Sequence, residues 1–423
     1  MVRVLKSQLI LILVIALIAV SAISIPFLMR KLLQRPPPGS VVEAEELTLS
    51  QLVERVNGFT LNLYGLLLRN HTSENLVVSP FNAYVALTML YEGSNSSTRE
   101  ELGKVMGLDN GDACSAYREL ISILPIGRNN TAALYVANGA WLREGFPFRD
   151  DYVLRIKQCF NGYVEYFTSI DELVESVNRW VEEKTNGLIK NLLNRYQVPD
   201  NTVAVLVSAI YFKADWLKEF TPIGKIRFWN GSEWIYVDGM DVEGDHLRVV
   251  NTDEYIAVEI PYKDTSLSMV IIMPRDFKEA VGSVRELITK ALENIDNASP
   301  IPSVYLVMPK FNISFNKVLN DVLWEMGIRE AFQPGVADLT RMADVARGSI
   351  WVDKVIQKAV IKVNEKGTEA AAATAIIILT SAPVYNVEVV VDKPFIYILR
   401  DRDSKVILFI GHVVDPAKSD QSL

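Results

Sequence analysis

The chain is short of the residues that most enzyme sites need. Across 423 residues there are two cysteines, Cys114 and Cys159, and three histidines, His71, His246 and His412. Two cysteines this far apart exclude zinc ribbons, CxxC redox sites and disulfide-dense scaffolds. No Lys/Arg-rich run occurs and the net charge is −8, so the electrostatic footprint of a nucleic-acid binder is missing. GxSxG, HExxH, GxGxxG and GxxxxGK[ST] are all absent, and with them the usual placements of a nucleophile, zinc, dinucleotide or phosphate. Asp245-His246 has no partnered serine signature and reads as a surface pair. Internal repeats are also lacking. What remains is ordinary globular composition, 49% hydrophobic and 22% charged, which excludes wholesale disorder.

One long apolar run is present, at the amino terminus. Leu9 to Met29 carries no charge and is long enough to cross a bilayer as a helix. Val20-Ser21-Ala22 has the small residues of a cleavage site, whereas the apolar stretch Ile23–Met29 beyond it favours an uncleaved anchor, so residues 1–33 are a signal peptide or a signal anchor. Residues 34–40 hold the stiff linker Arg35-Pro36-Pro37-Pro38-Gly39-Ser40, and the folded body begins near residue 41. Asn-x-Ser/Thr triplets start at Asn70, Asn95, Asn129, Asn230, Asn297 and Asn312, a mild excess over chance that agrees with export. An exported body allows a Cys114–Cys159 disulfide; two buried thiols are the alternative.

Within the body, Gln51–Leu68 has helical spacing, and Ser79-Pro80 opens a helix to about Tyr91 with serine as N-cap. Glu172–Leu193 reads as one or two helices broken at Asn186-Gly187, and Phe315–Phe332 as another. Val203–Phe212 has the continuous apolar run of a strand buried on both faces. Val249–Pro274 and Ser303–Phe315 read as strands, and Phe395–Val414 as a hairpin around Asp401–Ser404. Helices early and strands late, without regular alternation, predict an α+β body.

The segment from Glu365 to Pro383 fits no single element. Thr368-Glu369 followed by Ala370–Ala373 would start a helix, yet it runs into Ile376-Ile377-Ile378, which favours strand. At period two, Thr368, Ala370, Ala372, Thr374, Ile376 and Ile378 share one face, with Glu369, Ala371 and Ala373 on the other. Nothing on the first face blocks burial as a central strand. The segment suits two conformations.

Gly367-Thr368-Glu369-Ala370 through Thr374 closely resembles the reactive-loop hinge of the serpins. Ordered blocks extend the likeness over about residues 50–416: Asn75–Asn82, Asn178–Gly187, Leu206–Lys213 and Asp392–Asp401. The resemblance implies a serpin fold of mixed sheets, surrounding helices and an exposed reactive-centre loop at about 365–391. It implies an irreversible suicide-substrate inhibitor, not an enzyme: a serine protease cleaves the loop and is trapped as an acyl-enzyme when the freed loop inserts as a strand. Insertion adds ladder bonds on both sides, on the order of 10 kcal/mol, against a domain stability of about 5–15 kcal/mol. The uninserted form must therefore be kinetically trapped. A non-inhibitory binding or storage serpin is the other reading, and the small inward residues Thr368, Ala370, Ala372 and Thr374 speak against it.

Family spacing counted from Glu365 puts the scissile bond at Ser381–Ala382, whereas counting back from Pro394 lands at Pro383, an unattractive cut. Ser381 preceded by Ile378, Leu379 and Thr380 implies a subtilisin-like or elastase-like protease; a chymotrypsin-like one would cut after Leu379 or Tyr385. No Lys or Arg lies between Lys366 and Lys393, which excludes trypsin-like specificity. Where serpins hold a polar cluster of Ser, Asn and His beneath the opening sheet, this chain has Ser79, Asn82, Ser208 and Gln357, expected to form one hydrogen-bond network that gates insertion. Glutamine cannot titrate there, so pH gating at that position is not expected. Trp216 matches the tryptophan at the top of the sheet. Asp112–Ile123, which carries a heparin site in some animal relatives, has only Arg118 as a cation, and no cofactor is expected. The expected protein is a monomer, secreted or held at the outer face of the membrane through residues 9–29, whose partner is a serine protease and not a nucleic acid.

Overall fold

The structure is a computed structural model that describes residues 46–108, 111–126, 131–368 and 386–418. The leader, the linker and the loop positions Glu369 to Tyr385 lie outside the described residues. Among the described residues no helix is long and apolar enough to cross a membrane.

In chain order the elements are α1 (Leu49–Asn70), β1 (Leu76–Val78), α2 (Pro80–Gly93), α3 (Ser96–Met106) and α4 (Cys114–Ile123). Then come β2 (Ala132–Arg143), α5 (Asp150–Phe160), β3 (Tyr163–Phe167), α6 (Ile170–Lys184) and β4 (Ala204–Asp215). Strands β5 (Thr221–Trp229), β6 (Trp234–Gly244), β7 (Arg248–Asn251), β8 (Tyr255–Pro261) and β9 (Leu267–Pro274) follow in sequence. The helices α7 (Phe277–Ala280) and α8 (Val284–Asn297) lead to β10 (Val304–Pro309), β11 (Phe311–Val318) and α9 (Asn320–Met326). The chain closes with β12 (Ile356–Val363), β13 (Gly367–Thr368), β14 (Val387–Val390), β15 (Phe395–Asp401) and β16 (Ile407–Val413).

Local chemistry accounts for the main boundaries. Thr48 and Gln51 form a capping box that starts α1, whose Leu52, Val56, Phe59, Leu63 and Leu67 are buried. In α2 almost every residue is buried, as befits a helix enclosed on all sides. Its N-cap residue is Ser79, but the hydroxyl makes no capping bond; it donates instead to the carbonyl of Leu408 at 2.7 Å. Helix α6 ends at Lys184, at the break expected from Asn186-Gly187, and no second helix follows it to Leu193. Asn186 and Gly187 take left-handed backbone (φ 50° and 78°), and the chain then crosses without helix. That crossing is tied back by Asn178, whose amide both donates to and accepts from the main chain of Leu193 at 2.8 Å. The expected helix Phe315–Phe332 is also shorter. Strand β11 runs to Val318, α9 covers seven residues, and Gly327 at φ 116° stops it.

The described strands form three sheets: β1-β16-β15-β9-β8-β7, β14-β10-β6-β5 and β11-β12-β13-β4-β2-β3. Pairing is antiparallel except for β2 with β3 and β10 with β14. The hairpin β15–β16 and strand β9 are buried throughout and form the centre of the core. The predicted strand at Val203–Phe212 is β4, but several of its residues are half-exposed, so it is not covered on both faces. Cys114 and Cys159 form a disulfide that joins α4 to α5.

Candidate functional site: the opening of the third sheet

The site lies where β13 enters the third sheet. Strand β13 is only Gly367–Thr368, and it separates β12 from β4 at one end. Thr368 stands opposite Val363 of β12 and Ala214 of β4, both antiparallel. Past that point, among the described residues, no rung joins β4 directly to β12. The two strands flank a cavity of about 450 Å³ whose walls include Asn82, Ser208 and Gln357 among mostly apolar neighbours such as Leu87, Leu193 and Ile356.

The upper end is clamped tightly. Gly367 passes so close to β4 that a Cβ would meet the carbonyl oxygen of Ala214 at 2.0 Å, which only glycine avoids. Trp216, fully buried, holds the turn before it: its main-chain N–H donates to Lys366 and its indole N–H to the carbonyl of Asn364 at 2.9 Å. The indole also stacks on Tyr262 with ring centres 4.5 Å apart. The Tyr262 hydroxyl lies 2.7 Å from Oγ1 of Thr368. Burial pushes that phenol well up, so it keeps its proton. Glu365, 5% exposed at its side chain, pairs with Lys310 at 2.9 Å, and its carbonyl accepts from the N–H of Phe220.

Lower down, the four residues expected to form one hydrogen-bond network are joined as two separate pairs, each a side-chain amide donating to a main-chain carbonyl. Gln357 Nε2 donates to the carbonyl of Ser79 at 2.5 Å, and Asn82 Nδ2 to the carbonyl of Ser208 at 3.3 Å. The Ser79 hydroxyl turns away to Leu408. That leaves Asn82 Oδ1, Ser208 Oγ and Gln357 Oε1 buried without a hydrogen-bond partner among the described residues. Three orphaned polar atoms at one cavity is a costly arrangement, since each forgoes about 1–3 kcal/mol of solvation.

Of the other predicted residues, Glu365, Gly367 and Thr368 are placed as described. Glu369, Ala370, Ala371, Ala372, Ala373, Thr374, Ile378, Leu379, Thr380, Ser381 and Ala382 lie outside the described residues. Tyr262, Phe220 and Lys310 belong to the site and were not found from the sequence. Their motifs are bland, and only tertiary pairing reveals them.

The comparisons agree with this architecture. The family model described as Serpin (serine protease inhibitor) matches residues 54–416. An uncharacterised serpin-like protein of Pyrobaculum aerophilum is 35% identical over 367 residues, 85% of this chain and 93% of that protein. Mouse (Mus musculus) neuroserpin is 29% identical over 386 residues, 87% of this chain and 93% of its own. Among solved structures, Serpin48, a highly specific serpin of the insect Tenebrio molitor, superposes with a TM-score of 0.74 at 27% identity, covering 89% of this chain and all of that one. The chain belongs to the serpin family, whose members are generally protease inhibitors and not catalytic enzymes.

Proposed function

We propose that this protein is an irreversible suicide-substrate inhibitor of a subtilisin-, elastase- or chymotrypsin-like serine protease. The protease serine hydroxyl adds to the carbonyl carbon of Ser381, the Ala382 amine leaves with a proton, and an ester joins the two proteins. Insertion of the cleaved loop between β12 and β4 then outruns hydrolysis of that ester by water.

One observation carries the reading: the register of β13. Carried forward at the same count, the inward residues Ala370 and Ala372 fall between β4 and β12, and Thr374 falls opposite Ser208 on one side and Gln357 on the other. In that register Thr374, the polar residue of the inward hinge positions after Thr368, would meet the three orphaned polar atoms, with the alanines above it. No charged side chain enters the sheet. The hydrophobic leader, together with the Cys114–Cys159 disulfide, supports an extracytoplasmic location, secreted or tethered through residues 9–29.

Incubation of the full chain with subtilisin, elastase, chymotrypsin and trypsin tests this, read on a denaturing gel with mass spectrometry of the released peptide. The expected result is a denaturant-stable complex with one of the first three and a peptide starting at Ala382. Cleavage without a complex would leave a substrate-like or storage serpin and overturn the proposal.

A further inference from the structure

The fold treats the six Asn-x-Ser/Thr triplets differently. Asn129 lies outside the described residues. Asn95 Nδ2 donates to Thr340 Oγ1 at 3.3 Å, and Asn297 Nδ2 to the carbonyl of Glu293 at 2.9 Å, so both nitrogens are already engaged. Asn312 sits within β11, paired with β12 along its length, where a substituent would have to leave from the middle of a sheet. Asn70 is the last residue of α1, and among the described residues its side chain makes no contact with the hydroxyl of Thr72.

Asn230 differs from all of these. It stands at the tip of the β5–β6 hairpin, in Trp229-Asn230-Gly231-Ser232. Its Oδ1 accepts from the N–H and the hydroxyl of Ser232, at 3.0 and 2.8 Å, and from the N–H of Glu233 at 3.0 Å. Three donors on the oxygen point the other end of the planar amide away from the loop, and Nδ2 has no partner among the described residues. The same bonds draw charge toward the oxygen and ease loss of a proton from the nitrogen. Gly231 makes the turn at φ 93°, and a Cβ there would meet nothing within 4 Å, so the space at the tip is open.

The hairpin also places bare aromatic surface beside that amide. Trp229 and Trp234 are directly opposed, with ring centres 5.7 Å apart, and the Arg227 guanidinium lies 4.6 Å over Trp234. Trp234 is still 47% exposed, and Tyr236, on the same face, 67%. Rings left in water like this give the C–H faces of sugars an apolar surface to lie on. All of these contacts fall within residues 227–236, so the hairpin alone builds the acceptor.

We infer that Asn230 is a site of N-linked glycosylation whose donor is a lipid-phosphate-linked oligosaccharide. Nδ2 forms a bond to the anomeric carbon, the bond from that carbon to the phosphate oxygen breaks, and the lipid phosphate leaves with the electron pair. The nitrogen gives up one proton to a base of the transferase. The inference rests on the extracytoplasmic location proposed above, because this transfer takes place on the outer side of the membrane.

The test takes the full chain purified from the cells that make it, with its compartment recorded, and digests it with trypsin. Phe228–Arg248 is released as one peptide, since no Lys or Arg lies between Arg227 and Arg248. That peptide is expected to carry the added mass of an oligosaccharide, localised to Asn230 by fragmentation, while the peptides holding Asn95 and Asn297 stay bare. Ser232→Ala leaves Asn230 in place and is expected to lose the added mass; Ser232→Thr is expected to keep it. Both change an exposed residue at the tip, so the fold is retained. A bare Phe228–Arg248 from chain recovered outside the cytoplasm overturns this inference and leaves the inhibitory reading standing. Bare peptide from chain held in the cytoplasm overturns the location reading and this inference with it. Equal occupancy at Asn95 and Asn297 would mean that the triplet alone, and not the hairpin, selects the site, and also overturns the assignment.

Discussion

The hydroxyl of Tyr262 lies 2.7 Å from Oγ1 of Thr368, the last described residue before the loop, while the ring of Tyr262 is stacked on Trp216. The first residue of the face predicted to insert is thereby already bound inside the sheet. Tyr262→Phe keeps the ring and the stacking but removes the hydroxyl, leaving the buried Thr368 hydroxyl with one partner fewer. We expect a loss of about 1 kcal/mol, seen as a lower thermal midpoint, together with faster hydrogen exchange at the amide of Thr368. Unchanged exchange at that amide would mean that the bond does not hold β13 in place.

The ion pair between Glu365 and Lys310 closes the same end of the sheet. Its carboxylate is 5% exposed and its ammonium 31% exposed, so solvent screens it only in part. Glu365→Lys removes the attraction and sets two cations side by side in a buried turn, a change of about 3–5 kcal/mol if nothing relaxed. The expected outcome is an opened sheet: chains that self-associate on mild heating and a smaller yield of complex per inhibitor molecule, both read on native gels. Glu365→Gln, which keeps the shape, should lie between the two.

Gly367 tests the close passage along β4. Gly367→Ala places a methyl group at 2.0 Å from the Ala214 carbonyl oxygen, with backbone and not a flexible side chain in the way. Residues 367–368 should leave the sheet, and Trp216 fluorescence should shift as its Lys366 and Asn364 contacts loosen. An unshifted spectrum with an unchanged thermal midpoint would contradict the tight fit.

Acid sensitivity has an identifiable source in the core. His412 is fully buried between the hydroxyl of Tyr64 and the carbonyl of His71, and burial pushes it down to about 4. The unfolded chain, with an ordinary value near 6.5, takes up a proton first as pH falls. The stabilisation is therefore complete above about pH 6.5 and lost progressively down to about pH 4, up to about 3 kcal/mol. Glu259 and Asp296 act in the same direction lower in the range: burial alone would raise both carboxyls, but Arg400 beside each holds them below the usual value. Urea midpoints of the unaltered chain and of His412→Asn between pH 7 and pH 4.5 separate the histidine's part. The variant should show a flatter dependence, and equal slopes would rule the histidine out.

How far the sequence could carry this depended on whether a feature was local. The hairpin around Asp401–Ser404 and the α1 and α2 helices are patterns within one short stretch and formed as read, whereas of the period-two face from Thr368 to Ile378 only Thr368 lies among the described residues. The break at Asn186-Gly187 was legible from those two residues, but a second helix after it did not form: Leu188 to Leu193 keep helical spacing yet cross without helix, tied back by Asn178. Lys310 with Glu365, and Tyr262 with Thr368, are pairs between distant stretches, and nothing in either partner's own neighbourhood announces them. The expected polar network failed in a similar way. The serpin resemblance singled out the four residues beneath the sheet, but not that Asn82 and Gln357 would donate to the main-chain carbonyls of Ser208 and Ser79 while the Ser79 hydroxyl turns to Leu408.

Those carbonyl contacts set up the most direct test of insertion. In the register of β13, the Thr374 side chain enters between Ser208 and Gln357, above Asn82, where three polar atoms lack partners in the described structure. A threonine hydroxyl can donate to one of the two amide oxygens and accept from the Ser208 hydroxyl, enough to satisfy two of the three. Thr374→Val has the same shape without the hydroxyl. Before cleavage it should leave the guanidinium midpoint unchanged, because on the inhibitory reading Thr374 enters between the strands only afterwards. After cleavage and insertion it should lower the midpoint by an amount equivalent to about 1–3 kcal/mol, because those atoms stay unpaired beside a valine methyl. Ala372→Val, one inward position earlier, falls level with Ile210 and Ala359 and should not show this difference in polar satisfaction. A loss confined to the cleaved form of Thr374→Val would tie the hinge, the cavity and its unpaired atoms to a single event. An equal loss in both forms would mean that Thr374 supports the uncleaved protein and that the register does not continue as counted.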